Sequence, residues 1–118
     1  MPVTNSGDYI PTVTEKSKNM SNTETLFSEI KKLTNEAISS YHTKPKAKPY
    51  IERLIFLRSN LPKISSIRAI FDKLVNHTAE ASGQVKNKEH WLGYVTQDLI
   101  LLEWEFKRFN LLPDTYNS

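Results

Sequence analysis

Trp91, Val95, Leu99, Leu102, Phe106 and Phe109 follow one another at steps of four and three, with no proline among them. At roughly 100° per residue they form one stripe covering about 100° of a helix, with Leu92 beside it. A helix over residues 88–110 would be about 35 Å long at 1.5 Å per residue. Such a stripe has to be buried against other elements. It therefore constrains the fold more than any other feature of the chain.

The same segment carries a second apolar side. In "LILLEWEF", residues 99–106, apolar side chains point in nearly every direction. Leu99, Leu102 and Phe106 belong to the core stripe. Ile100, Leu101 and Trp104 fall away from it, with Tyr94, Gln97 and Arg108 nearby. Either this helix packs on two neighbours, or the Leu111-Leu112 segment or the N-terminal tail covers it, or the second side meets another molecule.

Three more segments show helical spacing. Leu26, Ile30, Leu33, Ala37 and Tyr41 make a narrow stripe, flanked by Phe27, Thr34 and Ile38. Ser21 and Glu24 are spaced as a capping box, predicting a helix over 22–42. "HTKPKAKPY" reads as a Pro-stiffened loop, since each proline removes an amide donor and disfavours helix before it. Pro49 then suits the first turn of a short helix over 49–59, with Phe56 on its far side. Asn60 and Pro62 start a third helix over 61–82, because a proline that far along breaks the hydrogen-bond ladder of one continuous helix. Its face is Ile64, Ile67, Ile70, Phe71, Leu74, Val75 and Thr78, opposite Arg68, Asp72, Asn76 and Glu80. Gly83 can take the left-handed conformation that ends it. Asn87 can cap the fourth helix.

No segment alternates as a strand does. The reading is all-α, an antiparallel four-helix bundle formed by one domain over 21–112. Residues 1–20, rich in Ser, Thr and Asn without apolar period, read as a flexible tail. Residues 113–118 read as a short C-terminal tail.

Catalytic chemistry has little to stand on. The chain has no cysteine, which removes disulfides, thiolate metal sites and a cysteine nucleophile. His42, His77 and His90 lie in different elements and in no metal-binding spacing. His77 reads as a core-edge or surface residue, and His90 as a surface one. Asp98, Glu103 and Glu105 border the core stripe, where carboxylates take a neighbouring Lys or Arg. No glycine loop cradles phosphate, and no serine sits in a nucleophile elbow. The expectation is a non-enzymatic protein with no cofactor and no metal.

The net charge is +3, from 16 basic and 13 acidic residues. The basic residues gather in the middle: Lys44, Lys46, Lys48, Arg53, Arg58, Lys63, Arg68 and Lys73 face only Glu52 and Asp72. A positive edge of this kind can meet phosphate or an acidic protein. No recognition helix for base edges is evident. The N-terminus has no basic start followed by an apolar run, and no stretch is long enough to span a bilayer. The location expected is intracellular and soluble, and a membrane partner is not expected.

The function expected is therefore protein–protein interaction. The architecture resembles that of bacteriocin immunity proteins, helical phage accessory proteins and adaptor modules, though no motif carries the likeness. The contact patch is assigned to Tyr94, Ile100, Leu101, Trp104 and Arg108, and the partner is another protein or a second copy. Lys44, Lys46, Lys48, Arg53 and Arg58 would contact an acidic partner. Nucleic-acid binding through the segment 44–73 is the alternative.

Overall fold

The computed structural model describes residues 14–39, 43–83 and 86–116, with side chains from Asn22 onward. Among them are four helices: α1 (Thr14–Ala37), α2 (Lys44–Phe56), α3 (Ser65–Ala81) and α4 (Lys88–Arg108). One turn of 3-10 helix, Leu57–Asn60, continues α2. The described residues contain no strand. The fold is an all-α helical bundle, with α3 against α4 and α1 against α2 as its closest pairs.

Side-chain pairs fix the directions. Ser66 at the start of α3 reaches Glu105 near the end of α4, while His77 late in α3 reaches Asp98 in mid-α4. Phe27 meets Phe106, and Thr23 donates to the carbonyl of Leu111. α3 and α4, joined by a short connection, thus run antiparallel, and α4 also runs antiparallel to α1.

The core forms where the apolar stripes converge. Phe27, Ile30, Leu54, Ile67, Phe71, Leu74, Leu102 and Phe106 are fully buried. Phe27 and Phe106 pack tilted, 5.4 Å between ring centroids. Phe27 thus sits at the centre of the first stripe and not on its flank. Thr34 and Thr78 are buried among these side chains, their hydroxyls without a hydrogen-bond partner among the described residues.

Several boundaries differ from the sequence reading. α1 begins at Thr14, so Ser21 and Glu24 lie within the helix and not at its start. Residues 1–13 of the expected tail lie outside the described residues. The helix ends at Ala37, where Ser39 N–H bonds to the Glu36 carbonyl in a tightened turn. Tyr41 and His42 lie outside the described residues. α2 begins at Lys44, within the expected loop, because Pro45 occupies the first turn, where no amide donor is needed. Pro49 lies inside the helix, a cost of about 3 kcal/mol. Complete burial of Ala47 and Leu54 opposes that cost. α3 starts at Ser65, after Pro62, so two separate helices stand where a kink was the alternative.

Gly83 ends α3 with φ of 72°, in the left-handed region. A Cβ there would stand 2.6 Å from the Lys44 nitrogen, so the first turn of α2 packs directly on this glycine. α4 ends in a left-handed residue too. Asn110 has φ of 60°, Leu111 N–H bonds to the Phe106 carbonyl, and Asn110 N–H bonds to that of Lys107. This is the two-bond Schellman closure. Phe109, placed on the core stripe by spacing, lies past the last helical turn and is 39% exposed. The chain then turns back. Leu112 is buried, and Tyr116, read as tail, packs edge-on against Phe27.

Candidate functional site: the outward face of the last helix

α4 is two-sided. Val95, Leu102 and Phe106 are buried, and Trp91, Leu92 and Leu99 pack partly against the same core. On the opposite side, Trp104 is 62% exposed, Ile100 46% and Tyr94 42%. Leu101 is half-buried at the edge of this face, and Arg108 is exposed. The structure thus brings all five residues of the expected contact patch to the outer half of one helix. The Leu111-Leu112 segment does not cover them, because Leu112 turns into the core.

The charges around the face are matched locally. Glu103 pairs with Lys107 at 2.9 Å. Glu105 accepts from Ser66 at 2.8 Å and meets Arg108 at 3.4 Å. The Arg108 guanidinium also lies 5.3 Å from the Phe109 ring centre. These carboxylates take neighbouring cations, as helix-boundary acids do. Trp104 and Ile100 are therefore framed by paired charges, not by an acidic pocket.

Asp98 behaves differently. It is 5% exposed, and its Oδ2 lies 2.5 Å from His77 Nδ1 on α3. The imidazole stacks on the Tyr94 ring at 5.0 Å and lies 5.9 Å from that of Trp91. His90 is exposed, with its ring edge-on to both Trp91 and Tyr94. The His77–Asp98 bond was not foreseen, though its signal was present. His77 lies on the edge of α3's stripe and Asp98 on the edge of α4's, and antiparallel packing joins those edges. The bond holds one end of Tyr94 in place and so fixes the side of the outward face nearest α3.

The basic residues differ in what they meet. Lys44, Lys46 and Lys48 are exposed on the first turns of α2, and Lys48 lies 4.0 Å from Glu52. Three cations at the positive end of a helix are unfavourable. Arg53 is exposed on the same helix. Arg58 is turned away, in a two-bond contact with Asp72 at 2.8 and 3.0 Å. That hydrogen bond raises the Arg58 pKa and holds the Asp72 carboxyl below its ordinary value. Arg68, one turn before Asp72 on the same helix, points its Nε to the Pro62 carbonyl at 3.4 Å.

Among the described residues, no group of three or more potential metal ligands converges, and no helix is long and apolar enough to cross a membrane. No protein-family model, no curated protein and no solved structure matches this chain.

Proposed function

We propose that this protein acts by binding another protein through the outward face of α4, centred on Ile100 and Trp104. The observation that carries the reading is the extent of that face. Apolar side chains stay in solvent on the side opposite the core while the charges beside them are internally matched. An indole left mostly in water gains most when a partner covers it, and aromatic residues with a bordering arginine are the usual anchors of interfaces. Tyr94, held by His77, and Arg108 form the two ends of the patch. Lys44, Lys46 and Arg53 add a positive edge elsewhere that favours encounter with an acidic partner.

The test is capture on the immobilised full chain from extracts of the source cells, read by mass spectrometry. Wild type and Trp104→Glu are compared at equal helicity. The reading expects proteins retained by wild type to be lost with Trp104→Glu. An unchanged set of retained proteins, in unchanged amounts, contradicts it.

A further inference from the structure

Gly93 lies in the interior of α4, is exposed, and would meet no atom within 4 Å if given a Cβ. Nothing among the described residues explains a glycine there, and glycine is the poorest helix former after proline. Its position relative to the outward face supplies a reason. Gly93, Gln97, Ile100 and Trp104 are all exposed and follow at steps of four, three and four. At roughly 100° per residue they lie within an arc of about 60°, on the side away from Val95, Leu102 and Phe106.

We propose that this seam docks a second copy of the chain, α4 against α4 and antiparallel, with Trp104 of each copy seated over Gly93 of the other. The proposal rests on the reading of this face as a docking surface. The seam is complementary to itself in that direction. The register that sets Trp104 over Gly93 also sets Ile100 over Gln97, with no further adjustment. The missing side chain at Gly93 leaves a hole bounded by Glu89 and His90 one turn before and by Thr96 and Gln97 one turn after. A bulky side chain enters such a hole as a knob.

The charges agree. Glu89, in the first turn of α4, comes opposite the last turn of the second copy, where Lys107 and Arg108 lie. The positive end of each helix faces the negative end of the other. A parallel pairing would oppose glycine to glycine, tryptophan to tryptophan and Arg108 to Arg108. A two-fold contact of this kind closes on itself and needs no second surface. One helix pair is a small interface, so dissociation in the micromolar range is expected.

Sedimentation equilibrium of the full chain, up to several hundred micromolar, tests this. Wild type is expected to dimerise. Trp104→Glu and Gly93→Leu should weaken the dimer at least tenfold, with helicity unchanged. Gly93→Leu should also raise the melting temperature of the monomer, an effect opposite to that of a folding defect. The chain has no cysteine of its own, so single cysteines report the register. Gln97→Cys places two thiols about 4.5 Å apart along the axis and should oxidise to a covalent dimer. Arg108→Cys places them about 28 Å apart and should not. A monomeric wild type, a dimer indifferent to Gly93→Leu, or cross-linking through Arg108→Cys overturns the proposal. A monomeric wild type whose captured proteins still depend on Trp104 overturns the second copy alone. Loss of that dependence as well overturns the docking face.

Discussion

α2 and α4 both hold a pair of large apolar side chains in solvent, Ile55 and Phe56 on one and, with the exposed Tyr94 at their side, Ile100 and Trp104 on the other. Phe56, at 76%, is the most exposed of the four. Yet the pairs differ in kind. Ile55 and Phe56 are adjacent in sequence, so they diverge by roughly 100° around the helix, just where α2 tightens into its 3-10 turn. Exposed Glu52 and Arg53 lie beside them. Ile100 and Trp104 are one turn apart and share a line that runs back through Gln97 to Gly93. What distinguishes a surface from stray exposure is alignment along an axis, because a partner helix or strand can follow a line.

The largest expected effect separates the two sides of α4. Phe106→Ala should cost about 3–5 kcal/mol, as loss of a fully buried ring does, whereas Trp104→Ala should stay within about 0.5 kcal/mol. Urea unfolding of both variants at a concentration where the chain is monomeric measures this. Equal losses would make the outward face part of the core and erase the distinction.

Next is the tie between α3 and α4. His77→Ala leaves the Asp98 carboxylate buried without its partner, a cost of about 2–3 kcal/mol. It should also loosen Tyr94, visible as a changed ring signal in the NMR spectrum. A neutral His77→Ala would mean that the outward face is not anchored through this bond.

Substitution of the two glycines should change stability with opposite signs. Gly83→Ala forces a Cβ into a left-handed residue packed on Lys44 and should destabilise by about 1–2 kcal/mol. Gly93→Ala meets open space in a helix and should stabilise the monomer by about 0.5–1 kcal/mol. Thermal melts of both at one low concentration decide the matter. A destabilising Gly93→Ala would show a constraint inside the chain.

The smallest effect belongs to Arg58 and Asp72. The folded-state pKa of Asp72 is depressed, so the pair adds stability above the ordinary carboxylate range. That contribution is lost as pH falls through the depressed value. Both side chains are nearly half exposed, and water and salt weaken the pair. The stability gap between wild type and Arg58→Leu should narrow on acidification from neutral pH to pH 2. A gap that widens would contradict the assignment.

Periodicity carried most of the fold. The four helices and both sides of α4 follow from spacing, because burial imposes a period of 3.6, and the stop at Gly83 follows from glycine's access to the left-handed region. Local signals did less well where packing overrode them. The Ser21–Glu24 box is a cap only if a helix starts there, and α1 runs on to Thr14. Pro45 reads as loop and Pro49 as the start of a helix, yet burial of Ala47 and Leu54 accompanies a helix that begins before both. The partner of Asp72 depended on where α2 ends relative to α3, which no spacing within one helix reveals. At the site, the exposed residues were legible as the complement of the core stripe. The hold of His77 on Asp98 was not, since it joins two helices whose register only tertiary packing sets.

At issue is whether the outward face of α4 docks protein without serving the fold. The most direct measurement is Trp104→Glu beside wild type, with unfolding midpoint and protein-binding followed on the same samples, the chain's own copies included among what is bound. The expected result is lost binding, with a midpoint unchanged at concentrations where wild type is monomeric. Unchanged binding, or a midpoint that falls as far as that of Phe106→Ala, would contradict it.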